Sequence, residues 1–142
     1  MPLLEKGIRA ATQRMPKMLS PGAHAAVDLA LAGSFAILGA VAWRRNRKAS
    51  VCAFIAAATE LGLSLATDYP AGAIDWISFP THGEIDSGLS GLIGSMPSLM
   101  GFGYEWPSGI FHLQALSIAA LTGLTEFRHS NNRPRVAGPR VA

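Results

Sequence analysis

The placement of basic residues constrains the fold of this chain more than any other feature. All 12 Lys and Arg residues lie in three groups of four: within the first 17 residues, in the segment "RRNRK" at 44–48, and from Arg128 onward. Residues 18–43 and 49–127 contain none. Since 49% of the residues are hydrophobic and only 15% are charged, this pattern predicts that most of the chain is buried in protein or in lipid.

Four apolar stretches account for this composition, at residues 23–43, 49–67, 84–102 and 109–127. Each has about 20 residues, and at a rise of ~1.5 Å per residue a helix of that length crosses the ~30 Å hydrocarbon core of a bilayer. We therefore expect four transmembrane helices; a soluble bundle of unusually apolar helices is the alternative. Pro97 interrupts the third stretch, which neighbouring helices can accommodate.

The chain also contains an internal duplication with an offset of 58 residues. The aligned identical residues include Ser20 and Ser78, His24 and His82, Asp28 and Asp86, Leu31 and Leu89, Gly33 and Gly91, Leu63 and Leu121, and Thr67 and Thr125. No gap is needed between them. The predicted fold is an all-α integral membrane four-helix bundle of two tandem helix-pair repeats, related by a pseudo-twofold axis along the membrane normal.

The basic groups and the duplication divide the chain into five segments. They are a basic amphipathic N-terminal segment at 1–19, the first repeat at 20–69, an interfacial linker at 70–77, the second repeat at 78–127, and a basic extended tail at 128–142. Leu4, Ile8 and Met15 share one side of the first segment, which suits the membrane interface. The tail suits anionic lipid or a protein partner, whereas no nucleic-acid-binding fold surrounds it. The two tails carry eight basic residues against four in the hairpin, which predicts cytoplasmic termini.

The duplicated His-x3-Asp pattern supplies the candidate site. Residues four apart lie on one helical face, so His24 and Asp28 share a face of the first helix, and His82 and Asp86 share a face of the third. Each pair opens a row of small residues at the same spacing, namely Ala32, Ala36 and Ala40 in the first helix and Ser90, Gly94 and Ser98 in the third. Small residues let membrane helices approach closely. We therefore expect helices 1 and 3 to cross near the axis, with the two polar pairs meeting at one end.

Three interpretations of these pairs compete. The favoured one is structural hydrogen bonding that fixes the register of the bundle, without a cofactor. A metal site for zinc, iron or manganese is the second, since two imidazoles and two carboxylates suit these ions. The third is a haem held by His24 and His82, or a role linked to protonation in transport. Asp68 and Glu126 end helices 2 and 4 on the same side, so their carboxylates could join the cluster.

Three further residues affect the candidate site. Ser20 and Pro21 predict a helix cap and a first-turn proline, which places His24 in the first turn, near the headgroup boundary. Glu60 lies in the middle of helix 2, where the second repeat has Ile118, and is expected to form a hydrogen bond inside the bundle; the alternative is that it faces a partner protein.

The duplicated segments resemble the bacterial SPW-repeat membrane proteins. The resemblance covers roughly residues 19–127 and is carried by "LSPGAHAAVD", "TDY", "FPTHGEID" and the "GF" at 101–102. Where the family has Ser-Pro-Trp, this chain has Met96, Pro97 and Ser98. The resemblance implies an integral protein of the bacterial inner membrane built from two-helix repeats, and it supplies no catalytic mechanism.

The functional expectation follows from small size, short connections and the lack of an extramembrane domain. We expect a non-enzymatic scaffold or accessory subunit of a larger membrane assembly, in contact with the bilayer and with membrane protein partners or further copies of itself. No nucleotide-binding loop occurs in the sequence, nor a nucleophile with an evident base. The alternatives are a metal- or haem-binding membrane protein that uses the duplicated pairs, or a small proton-coupled transporter.

Overall fold

Four α-helices form the described part of the chain, which comprises residues 16–127 together with residues 3, 6, 7 and 10 of the computed structural model. They are α1 (Pro21–Ala42), α2 (Arg47–Leu65), α3 (Phe79–Met100) and α4 (Pro107–Leu124). Among these residues, extended pairing is limited to isolated bridges. The prediction of an all-helical chain with four helices is confirmed.

Two parts of the sequence-based interpretation lie outside the described residues. One is the proposed amphipathic face of the N-terminal segment, formed by Leu4, Ile8 and Met15. The other is the basic tail at 128–142. Both stay predictions.

The helix starts place the histidines. The Ser20 side chain accepts a hydrogen bond from the Ala23 N–H at 3.2 Å and Pro21 begins α1, as predicted. Ser78 caps α3 in the same way, accepting from the Thr81 N–H at 3.3 Å. Because a capping serine fixes the first helical residue, each histidine is the fourth residue of its helix. The cap also explains why α3 begins at Phe79, ahead of the apolar stretch predicted from residue 84.

The third helix continues through its internal proline and ends at a glycine. Pro97 lies inside α3, and Gly101 follows the helix with a φ of 76°. This left-handed conformation favours glycine. The N–H groups of Gly101 and Phe102 both donate to the Pro97 carbonyl, which closes the helix.

The helices pack as two antiparallel hairpins. α1 packs mainly against α2 and α3 mainly against α4, while α1 with α4 and α2 with α3 form smaller contacts. A Cβ atom on Gly39 would lie 2.9 Å from the Phe54 ring, so glycine permits the close approach of α1 and α2. The rings of Phe35, Phe102 and Phe111 meet at centroid distances of 5.3 and 5.5 Å in the core between the hairpins.

The predicted row of small residues joins the core only in part. Ala32 and Ser90 are buried and Ala36 and Gly94 are partly buried, but Ala40 and Ser98 are exposed. The close approach of α1 and α3 expected from these residues does not form. The two helices contact each other less than α1 contacts α2 or α3 contacts α4. The reason is that bulky core side chains from both helices, Phe35 and Ile93, fill the centre of the bundle.

Polar side chains lie inside the bundle beside the apolar core, and large apolar side chains lie on its surface. The buried polar residues in the helices include both His/Asp pairs, Glu60 and Gln114. Large apolar side chains face outward, as shown by exposed fractions of 67% for Ile37 and 69% for Leu116. Among the described helices, α1 and α2 are long and apolar enough to cross a membrane. An exposed apolar surface of this kind marks contact with lipid or protein.

Candidate metal centre

The structure brings the four predicted site residues together at one end of the bundle. His24 and His82 are 0% exposed, and Asp28 and Asp86 are 1% and 0% exposed. Within each helix, the histidine Nε2 lies near the aspartate Oδ2, at 3.4 Å in α1 and 3.1 Å in α3. Between the helices, each Nε2 lies 3.2 Å from the other aspartate's Oδ2. The two Nε2 atoms are 3.3 Å apart.

Two threonines determine which imidazole nitrogen carries hydrogen. The hydroxyl of Thr67 donates to the Leu63 carbonyl at 2.7 Å, and that of Thr125 donates to the Leu121 carbonyl at 2.7 Å. Each hydroxyl hydrogen is therefore already used. The Thr67 Oγ1 lies 2.8 Å from Nδ1 of His82, and the Thr125 Oγ1 lies 2.8 Å from Nδ1 of His24. Since each oxygen can only accept there, both Nδ1 atoms carry hydrogen.

This tautomer leaves a lone pair on each Nε2 in the neutral imidazole. Two nitrogen lone pairs and two carboxylate oxygens then converge without a hydrogen between them, which is repulsive. The repulsion is removed either by a proton on each Nε2 or by a cation between the four atoms. Two protons and one divalent cation balance the charge of Asp28 and Asp86 equally well, so the cluster is neutral in both states.

Five of the six spacings among the four atoms match those of a tetrahedral metal site. The five distances that involve a histidine Nε2 span 3.1 to 3.4 Å, and the ligand atoms of the four residues all lie within 4.8 Å of one another. Zinc binds nitrogen and carboxylate oxygen at about 2.0 to 2.2 Å, and a tetrahedron with that radius has edges of about 3.3 to 3.6 Å. One ion between the four atoms would contact all four residues when the two aspartate oxygens adopt a similar spacing.

Aromatic side chains cover the cluster. The rings of Phe79 and Phe127 each lie 5.3 Å from the His24 ring between centroids, and Tyr69 lies 5.3 Å from the His82 ring. A Cβ atom on residue 83 would lie 2.6 Å from the Phe127 Cζ, so Gly83 makes room for that ring. This enclosure separates the cluster from bulk solvent and strengthens the electrostatic interactions inside.

The two halves of the site differ in one hydrogen bond. The Tyr69 hydroxyl donates to Asp28 Oδ2 at 2.9 Å. Burial raises the pKa of this phenol above its ordinary value, so it remains a donor. The residue 58 positions later is Phe127, which has no hydroxyl. Asp86 Oδ1 is buried and has no hydrogen-bond partner among the described residues.

Replacing Tyr69 with phenylalanine is expected to lower the free energy of unfolding by about 1 kcal/mol, because one buried hydrogen bond to a carboxylate is lost. Denaturant unfolding in detergent measures the change. Tyr104→Phe is the matched control, since that side chain is fully exposed. Equal stability of the two variants would contradict the hydrogen bond from Tyr69 to Asp28.

Some sequence expectations about the site are corrected. Asp68 and Glu126 are exposed and lie outside the cluster, because the chain turns outward after the helices end. The threonines that precede them, Thr67 and Thr125, contact the imidazoles instead. Their match at the 58-residue offset was visible in the sequence, but their role was not. Glu60 is buried, as expected, but its Oε1 has no hydrogen-bond partner within the described part of the chain.

Comparison with known proteins identifies no relative of this chain. No protein family, no curated protein and no solved structure matches this chain. The resemblance to SPW-repeat proteins therefore stays a prediction that rests on the quoted segments, and the functional argument rests on the geometry of the site.

Proposed function

We propose that this chain is a non-enzymatic membrane protein whose two helix-pair repeats are joined by one divalent transition-metal ion, with zinc as the best match. The observation that carries the proposal is the convergence of four buried donor atoms within 4.8 Å of one another, with both imidazoles held in the tautomer that directs a lone pair inward. Metal-binding histidines commonly donate their other ring N–H to a fixed partner, as both do here.

The closed coordination favours a structural ion over a catalytic one. Catalytic zinc sites keep one position for water or substrate, whereas structural sites use four protein ligands. His24, Asp28, His82 and Asp86 supply four ligands, and all are buried. The ion would fix α1 to α3 where these helices otherwise contact each other little. This role agrees with a scaffold or accessory subunit.

Two further observations support a duplicated membrane bundle. Leu19 pairs with Thr125 and Thr67 pairs with Ile77. Ile77 lies 58 residues after Leu19 and Thr125 lies 58 residues after Thr67, so the two contacts are equivalent in the two repeats. Large apolar side chains cover the outside of the helices while ionisable side chains lie inside. We propose four membrane spans on this basis, in the bacterial inner membrane with cytoplasmic termini, so that the metal lies near the cytoplasmic headgroup boundary.

The alternatives have less geometric support. A haem needs a flat space between its two axial imidazoles, but the Nε2 atoms of His24 and His82 lie 3.3 Å apart, with aspartate oxygens around them. A purely hydrogen-bonded cluster requires a second proton on both imidazoles. Proton-coupled transport would use the same protonated state, and it predicts flux in liposomes that depends on pH.

Metal analysis tests the proposal. Protein purified in mild detergent, incubated with zinc and then washed, is expected to retain about one zinc per chain. Free zinc at 100 times its Kd should stabilise the fold by about 2.7 kcal/mol, measured as a rise in the melting temperature relative to protein treated with a chelator. Retention below about half an equivalent, without a thermal shift, would contradict the proposal. Native mass determination then tests for partners or self-association.

A further inference from the structure

Three buried polar atoms near the cluster have no hydrogen-bond partner among the described residues. They are Glu60 Oε1, Ser64 Oγ and Asp86 Oδ1. The three residues are exposed by 1% or less. The Ser64 side chain lies near that of Tyr69. Buried polar groups are rarely left unpaired, so three together point to a bound group.

The three atoms belong to helices that face each other. α2 contacts α3, and the Thr67 Oγ1 to His82 Nδ1 contact of 2.8 Å fixes their relative position at the end of the bundle. Glu60 and Ser64 share a face of α2. Thr67 follows the end of this helix, so Glu60 and Ser64 lie about 10 Å and about 4.5 Å further into the bundle than Thr67. Asp86 lies about 6 Å further in than His82 along α3. Their depths therefore overlap.

Electrostatics agree with this placement. Of the charges that act on Glu60, that of Asp86 has the largest effect, ahead of those of Asp28 and His82. Glu60 therefore lies near the aspartate that has an unpaired oxygen.

The two repeats differ in the residues around the cluster. Asp28 receives a hydrogen bond from Tyr69, whereas Asp86 lacks one because position 127 is phenylalanine. The first repeat also has Glu60 where the second has Ile118. Both Tyr69 and Glu60 thus belong to the first repeat, and the second repeat, which contains Asp86, has neither.

We infer that Glu60 is a positioning residue that holds Asp86 through one enclosed water molecule, which Ser64 also binds. The water donates to Glu60 Oε1 and to Asp86 Oδ1 and accepts from the Ser64 hydroxyl, which gives it three partners, the usual number for a buried water. With Oδ1 held in this way, Asp86 presents only Oδ2 to the imidazoles. The inference rests on the proposed metal site, since it explains why Asp86 binds through one oxygen and not two.

Cobalt binding to the full chain in detergent tests the inference, because tetrahedral Co²⁺ absorbs visible light more strongly than five-coordinate Co²⁺. In Glu60→Met the water loses one acceptor, so we expect about tenfold weaker binding and weaker visible absorption per bound ion, as Oδ1 turns to the metal. Glu60→Gln keeps an oxygen at the same place and is expected to resemble the wild type in affinity and spectrum. Gln114→Met is the matched control: it removes another buried polar side chain, at a distance from the cluster.

The outcomes separate the two proposals. If the wild type binds neither zinc nor cobalt, the proposed function fails. If it binds but Glu60→Met matches it in affinity and spectrum, the metal site stands and the role of Glu60 is wrong; the same holds if Glu60→Gln is as impaired as Glu60→Met. Should Glu60→Met not fold, Ser64→Ala replaces it, with an expected loss of about fivefold for one hydrogen bond and the same spectral shift. Unchanged binding in that variant would overturn the inference.

Discussion

Replacing either His24 or His82 with alanine is expected to weaken zinc binding by at least about 100-fold, and replacing both is expected to abolish it. A structural zinc site contributes about 10 to 16 kcal/mol, so the loss of one of four ligands removes several kcal/mol. The two single variants should be affected to a similar extent, because both imidazoles have the same set of contacts: a threonine at Nδ1, and two aspartates and the other histidine at Nε2. Competition with a chromophoric zinc chelator measures the affinities.

His112→Ala is the control for these variants. This histidine lies on α4, outside the cluster, and its side chain is exposed. Its replacement should leave zinc affinity within the error of the wild type. If His82→Ala binds zinc as tightly as His112→Ala does, then the buried cluster does not hold the metal. A marked difference between His24→Ala and His82→Ala would instead contradict the equivalence of the two repeats at the site.

The sequence was sufficient to locate the candidate site because that information is local and periodic. Ser20 and Pro21 define where α1 begins, and the spacing of His24 and Asp28 places both on one face. Repetition of the same pattern 58 residues later allowed the expectation that the two pairs meet. Each of these steps depends on contacts within one helical turn or on a symmetry visible in the sequence.

The partners of the histidines could not be predicted in the same way. The hydrogen bond from His24 goes to Thr125, 101 residues away, and that from His82 goes to Thr67. Spacing along the chain does not show whether a helix-end threonine or the carboxylate after it turns inward. Here the threonine hydroxyl satisfies the last turn of its own helix, and this holds it in the bundle interior. The rows of small residues did not predict the packing of α1 against α3 for a related reason. The volume of the core side chains between these helices determines how closely they approach.

The threonines provide the second large expected effect. Replacing Thr67 or Thr125 with valine, which has nearly the same shape, is expected to lower zinc affinity between about 10- and 100-fold, as for other outer partners of metal-binding histidines. Without the acceptor at Nδ1, the imidazole is free to place its hydrogen on Nε2 and donate to an aspartate. That tautomer has no lone pair for the metal, so binding must first reverse it.

Serine variants at the same positions separate this mechanism from a loss of packing. Thr67→Ser and Thr125→Ser keep the hydroxyl and lose a methyl group, so they should bind zinc nearly as tightly as the wild type even if they unfold at a lower temperature. The valine variants should bind zinc more weakly than the serine variants, and in the absence of metal they should also lose about 1 kcal/mol of stability because buried hydrogen bonds are removed. Serine variants as weak as the valine variants would contradict the tautomer mechanism, because the methyl group would then be the feature that matters. Thr67 contacts the histidine of the second repeat and Thr125 contacts the histidine of the first. Equal losses of zinc affinity in the two valine variants would therefore support the equivalence of these two contacts.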